Sequence, residues 1–221
     1  MKNLNKYIEH TILKPDASAK DIEKLAQDAQ EYKFLGVCIN PNYVELANRL
    51  LSDTNIKIVT VVNFPLANNT SDMTKYQIER VLEFGADEID TVINLGALKS
   101  KDYKQVEDDL IVTKKVCGNH NLKVILETDL LTKDEIITAC KIAVSAGADL
   151  VKTSTGFVKG GVGATVENVK VMYETVSPYG LKVKASGGIK TYKQALDLIN
   201  AGASRLGTSS GIQIMLGEEN V

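Results

Sequence analysis

The chain has no tryptophan and only three cysteines, two histidines and four prolines in 221 residues. Cys38, Cys117 and Cys140 are odd in number, far apart and without a CxxC pair, which argues against a disulfide framework and for reduced thiols in the cytoplasm. His10 and His120 lack any HExxH-type spacing, so no metal site is expected; His10 could line a pocket and His120 reads as a surface loop residue. No segment approaches the roughly 18 consecutive apolar residues of a membrane helix, and the N-terminal MKNLNKYIEHTILK has no apolar leader core. Charge of one sign is also missing. Twenty-six Lys and Arg against 28 Asp and Glu leave a net charge of −2, too balanced to attract nucleic acid or anionic lipid. No GxGxxG follows a strand, which disfavours a nicotinamide or flavin cofactor, and Val162 stands where a Walker A loop requires lysine.

What is present is a 44% hydrophobic, 24% charged chain with no linker or shift of composition, read as one domain over residues 1–221. Short runs rich in Val, Ile and Thr alternate with amphipathic segments. The expected strands are residues 10–13, 36–40, 57–63, 88–93, 122–127, 150–154, 182–186 and 205–208. Ile22, Leu25, Ala26 and Ala29 share one helical face, as do Ala195, Leu198 and Ile199. Thr132 with Glu135, and Thr191 with Gln194, have the spacing of capping boxes and mark helix starts. The triplets Gly85-Ala86-Asp87, Gly147-Ala148-Asp149 and Gly202-Ala203-Ser204 each precede a strand, as a glycine ending a helix would. Eight strands separated by helices predict a closed (β/α)8 barrel, an α/β TIM barrel with a short N-terminal helical segment; an open doubly wound sheet is the alternative.

Strands buried on both faces should read as unbroken Val, Ile and Leu, yet Lys152 follows Leu150 and Val151 within its strand, Lys184 interrupts Lys182-Val183-Lys184-Ala185, and Asp90 follows Ile89. The bland reading is solvated lysines on an edge strand, with Asp90 a mere counterion. Both lysines, however, precede Ser/Thr/Gly clusters, where barrel strands open into catalytic loops. A lysine amine becomes nucleophilic when desolvation and a neighbouring cation favour its neutral form, and it then adds to a carbonyl to give an iminium. A nearby carboxylate can shuttle protons, directly or through water. This chemistry leaves open which lysine attacks.

Ser186-Gly187-Gly188 and Gly207-Thr208-Ser209-Ser210-Gly211 close the last two expected strands, where barrels commonly bind phosphate at a helix N-terminus. Residues 156–163, with four glycines, read as a mobile loop above the site. Cys38 could face substrate, although a small buried hydrophobe is the plainer reading.

These motifs resemble the deoxyribose-phosphate aldolase family of class I aldolases. The likeness runs in order through HTILKPDA, GVCINP, VVNFP, EIDTVINLGALK, ILET, VKTSTGF, VKASGGI and RLGTSSG. It implies a barrel that cleaves 2-deoxy-D-ribose 5-phosphate to acetaldehyde and D-glyceraldehyde 3-phosphate in deoxyribonucleoside catabolism, without metal or organic cofactor. Carried over by motif, Lys152 is the expected Schiff-base lysine, Lys184 its activating neighbour and Asp90 the acid/base carboxylate. Gly156, Ser186, Gly187, Gly188, Gly207, Ser209 and Ser210 are the expected phosphate residues, with Thr155 and Cys38 in the substrate pocket. Phe157 stands where some relatives carry a lysine, Glu9 where aspartate is common and is left outside the expected site, and no terminal tyrosine precedes Val221. Asp90 is expected to pair mainly with Lys184. The expected partners are small phosphorylated sugars and aldehydes and a second copy of the chain, a dimer being favoured. The rival readings are a phosphosugar isomerase or synthase without covalent intermediate, and a silent phosphosugar-binding protein.

Overall fold

In a computed structural model that describes residues 3–218, eight parallel strands close on themselves in sequence order, with β1 hydrogen-bonded to both β2 and β8. The strands are β1 (Ile8–Ile12), β2 (Gly36–Ile39), β3 (Lys57–Val62), β4 (Glu88–Val92), β5 (Asn121–Ile125), β6 (Leu150–Lys152), β7 (Lys182–Ser186) and β8 (Ala203–Thr208). A 3-10 turn, Leu4–Tyr7, is the short N-terminal helical segment. The helices are α1 (Ala19–Glu31), α2 (Val44–Leu51), α3 (Ser71–Glu83), α4 (Leu95–Lys99), α5 (Tyr103–Cys117), α6 (Lys133–Ser145), α7 (Val166–Val176), α8 (Tyr192–Asn200) and α9 (Gly211–Glu218). The fold is therefore the expected (β/α)8 barrel and not an open sheet.

Local chemistry sets the joints. Thr132 and Thr191 form the reciprocal capping boxes that start α6 and α8, and Ser18 with Asp21 adds a third at α1. The repeated Gly85, Gly147 and Gly202 all adopt positive φ, between 76° and 113°, and turn each helix end into the next strand.

The main apolar core lies between the barrel wall and the helices, where Ile22, Leu25 and Ala29 of α1 and Ala195 and Leu198 of α8 pack among residues such as Ile89, Val124 and Leu206. Two small apolar groups stand on the lumen side, Cys38 with Val59 and Val61, and Val92 with Ile125. Beside them lie buried charged side chains.

Two boundaries differ from expectation in a way that matters. β1 starts at Ile8 and β8 at Ala203, each two residues earlier than expected, so Glu9 and Arg205 sit inside strands. Because side chains alternate, Glu9 and Thr11 share one face of β1, and His10 turns the other way. His10 packs on Phe34 with ring centroids 5.2 Å apart, and its Nε2 is 4.0 Å from Asp28 of α1; it does not line the pocket. Burial pulls its imidazole below the usual range, with Asp28 opposing. His120 is exposed, as expected.

Candidate active site

Lys184 of β7 lies beside Lys152 of β6 and Arg205 of β8 in register, and Asp90 of β4 lies beside Lys123 of β5. Parallel pleating turns these side chains into the lumen, where Asp90 becomes the hub. Its Oδ1 accepts from Lys123 Nζ at 3.0 Å, and its Oδ2 accepts from both Lys152 Nζ at 2.8 Å and Lys184 Nζ at 2.7 Å. Asp90 thus does not pair mainly with Lys184; it is shared, because three strands deliver ammonium groups to one carboxylate. Burial pushes the Asp90 carboxyl up, but the charges of Lys123, Lys152 and Lys184 outweigh it and hold the group well below the usual carboxylate range.

A second tier supports this hub. Lys184 also donates to Glu9 Oε2. Arg205 bridges Glu9 Oε1 at 3.2 Å and Glu88 Oε1 at 3.3 Å, and Lys123 lies 2.6 Å from Glu88 Oε2. Burial pulls Lys184 and Lys123 down, yet the surrounding carboxylates, Asp90 and Glu9 foremost, leave both above the usual lysine value. Glu88 is raised by burial but brought down to about 2 by Lys123 and Arg205. Four cations, Lys123, Lys152, Lys184 and Arg205, therefore face three carboxylates, Glu9, Glu88 and Asp90. Glu9, Lys123, Glu88 and Arg205 were not expected here. The signal was present in Glu88, which precedes Asp90 by two residues and so shares its face.

Above the cluster, at the C-terminal ends of the strands, lies a cleft of about 600 Å³. Its lining includes Lys152, Thr155, Gly156, Ser186, Gly187, Gly188, Gly207, Ser209 and Ser210, so every residue expected to bind phosphate, together with Thr155, borders one cavity. Of the three lumen lysines, Lys152 alone reaches that lining among the described residues. Lys184, Asp90 and Cys38 are fully buried beneath it. Cys38 is not a cleft residue, because β2 places it one level down, beside the carboxylates of Glu9 and Asp90. Burial pushes its thiol up. Glu9, Cys38 and Asp90 lie close enough to chelate a cation, but both carboxylates already accept from ammonium groups that would repel one.

The lining residues differ in what they have left to offer. Ser186 Oγ donates to Ser154 O at 2.6 Å, and Ser210 N donates to Thr208 Oγ1 at 2.9 Å, so the Ser186 hydroxyl and the Ser210 amide are engaged within the protein. A Cβ on Gly207 would stand 3.0 Å from Lys184 Cε, so this glycine also makes room for the Lys184 stem. Lys14 and Lys190, which were not anticipated, border the cleft and bring positive charge to its mouth. α9 starts at Gly211, immediately after Ser209 and Ser210, and aims the positive end of its dipole at the same wall. Phe157 lies outside this lining and packs edge-on against Phe64, with ring centroids 5.3 Å apart.

Residues 5–217 match the DeoC/LacD family of aldolases. The chain is 51% identical to the deoxyribose-phosphate aldolase of Lactococcus lactis subsp. lactis over 214 residues, covering 97% of this chain and 96% of that one. It is 50% identical to the deoxyribose-phosphate aldolase of Streptococcus sanguinis over 216 residues, covering 98% and 97%. Among solved structures, the tetrameric deoxyribose phosphate aldolase of Aeropyrum pernix superimposes with a TM-score of 0.88 at 30% identity, covering 98% of this chain and 91% of that one. An aldolase designated QR15 gives a TM-score of 0.93 at 39% identity, covering 100% and 96%.

Proposed function

This chain belongs to the DeoC/LacD family of aldolases, and from that premise we propose that it cleaves 2-deoxy-D-ribose 5-phosphate through a Schiff base on Lys152. The observation that carries the assignment of the nucleophile is that Lys152 is, among the described residues, the one lumen lysine bordering the cleft. The pairing supports it: among the described residues Lys152 has a single carboxylate partner, Asp90, where Lys184 has two and Lys123 three.

The Lys152 amine adds to the C1 aldehyde of the open-chain sugar, and the carbinolamine loses water to give the iminium. The C3 hydroxyl then gives up its proton, the C2–C3 bond breaks and its electron pair moves to C2 as the enamine, releasing glyceraldehyde 3-phosphate. Protonation at C2 and hydrolysis of the iminium release acetaldehyde. Asp90 is held in the proton-accepting form, the carboxylate, and Lys184 in the proton-donating form, the ammonium, so that the one would take the proton and the other return one. The phosphate would rest against Gly187, Gly188, Ser209 and the start of α9, within reach of Lys14 and Lys190.

The reading extends to deoxyribonucleoside breakdown in the cytoplasm, which the three free cysteines favour, and to a homo-oligomer, of which the tetrameric Aeropyrum relative is a precedent. The experiment is to incubate the purified chain with 2-deoxyribose 5-phosphate and assay both aldehydes. Stoichiometric acetaldehyde and glyceraldehyde 3-phosphate are expected; an isomerised pentose phosphate, or no turnover, would refute the reading.

A further inference from the structure

The loop that follows β6 is fastened at both ends by two carboxylates from one short segment. Beyond β5 the chain continues alongside β6, with Leu126 N donating to Lys152 O and Thr128 N to Thr153 O, both at 2.9 Å. Between these bonds Glu127 adopts a left-handed conformation, φ 59° and ψ 61°, which is costly for a residue with a Cβ. Its side chain is only 2% exposed, and among the described residues no lysine or arginine pairs with it. Two unfavourable features thus meet at one residue, and an observed backbone outlier of this kind points to a task.

That task is visible in its partners. Glu127 Oε1 accepts from Thr155 N at 3.0 Å, and Oε2 accepts from Thr155 Oγ1. The same Oγ1 accepts from Phe157 N at 3.1 Å, so one carboxylate fixes residues 155–157, three positions beyond Lys152. Two residues after Glu127, Asp129 holds the far end: its carboxylate accepts from Val162 N at 2.9 Å and Gly163 N at 3.0 Å. Gly163 packs backbone to backbone on Gly187, with Ala164 N donating to Gly187 O at 3.1 Å. A Cβ on Gly163 would approach Gly187 O to 2.5 Å, and one on Gly188 would approach Val162 O to 2.6 Å. Residues 156–163, read from sequence as a mobile loop, are therefore wedged between Asp129 and the Gly187–Gly188 turn.

We propose that Glu127 and Asp129 are positioning residues that hold residues 155–163 against the Gly187–Gly188 turn and so shape the phosphate end of the cleft. This rests on the phosphosugar reading above. Neither carboxylate borders the cleft; each acts by fixing amides that do, or that abut those that do. Loss of Asp129 releases Val162 and Gly163, and with them the surface on which Gly187 and Gly188 are seated. The effect should fall on phosphate binding and spare the Lys152 cluster.

The test compares Asp129→Ala, Asp129→Asn and Glu127→Gln in the full chain, on 2-deoxyribose 5-phosphate and on unphosphorylated 2-deoxyribose. For Asp129→Ala, the loss of two charge-assisted hydrogen bonds should raise KM for the phosphorylated sugar by about tenfold or more with kcat within about threefold, while kcat/KM for deoxyribose changes less than about threefold. Asp129→Asn, which keeps one acceptor oxygen, should recover most of the loss, and Glu127→Gln should show the same substrate-selective pattern. Equal losses on both sugars, or no change on either, would overturn the proposal. Binding of inorganic phosphate by calorimetry separates this from the assignment of the reaction. If the wild type cleaves neither sugar, phosphate affinity about tenfold weaker in Asp129→Ala still supports the clamp, and unchanged affinity refutes it.

Discussion

Lys152 and Lys184 meet on a single oxygen: both ammonium groups donate to Asp90 Oδ2, at 2.8 and 2.7 Å. The two ammonium groups thus compete for one acceptor. Lys184 has a second carboxylate in Glu9 and keeps its charge; Lys152 has none and faces the cleft. The proposed division between nucleophile and neighbour rests on this asymmetry of partners, rather than on any difference in residue type.

Replacing Lys184 by Met keeps the stem and deletes the charge. Asp90 Oδ2 is then left to Lys152, and Glu9 loses its contact with Lys184. Single-turnover iminium formation at pH 7 should be slower in the variant than in the wild type. An unchanged rate would mean that Lys184 contributes neither to placing Lys152 nor to its chemistry.

The number of carboxylate partners predicts unequal effects on stability for two lysines of the same cluster. Lys152→Ala removes one of three ammonium groups on Asp90 and leaves Lys123 and Lys184 in place, so the fold should retain its wild-type unfolding midpoint although cleavage is lost. Lys123→Ala leaves Glu88 and Asp90 short of a buried partner and should cost about 3–5 kcal/mol. Urea unfolding of both variants checks this, and equal destabilisation would contradict it.

Much of this was legible in the sequence, for identifiable reasons. Lysine and aspartate inside Val/Ile runs are visible anomalies, and Lys152, Lys184 and Asp90 do converge. Glu9 and Arg205 were missed because strands β1 and β8 begin two residues earlier than the Val/Ile signal suggested, and a charge at an apparent strand entrance looks solvated. Lys123 was missed for the same reason, standing next to the apparent start of β5. Glu127 and Asp129 lie in a connection whose composition carries no periodic signal, and their role depends on hydrogen bonds to amides about 30 residues away in sequence.

Glu88 gives a pH dependence of stability with a definite sign. Its folded value of about 2 lies below the usual 4.5, so its contribution is present above about pH 4.5 and is lost as pH falls toward 2. Glu88→Gln should be less stable at pH 7 and should show a shallower decline over that window, by up to about 1.4 kcal/mol per pH unit. Parallel declines in the two proteins would show that Glu88 is not the titrating group.

Gly207→Ala separates the two uses of that glycine. Its Cβ would press on Lys184 Cε at 3.0 Å and on Ser186 Cβ at 3.1 Å. Displacing Lys184 should lower kcat with KM for the phosphorylated sugar little changed, at a stability cost of about 1–3 kcal/mol. A rise in KM alone would mean that the residue serves phosphate and not Lys184.

The most direct test of the central claim is reductive trapping. The wild-type chain is treated with borohydride in the presence of acetaldehyde, digested, and the mass increment of the reduced adduct is located by peptide sequencing. The account predicts a single modified residue, Lys152, and no adduct in Lys152→Ala. An adduct on Lys184 or Lys123, or none on the wild-type chain, would contradict it.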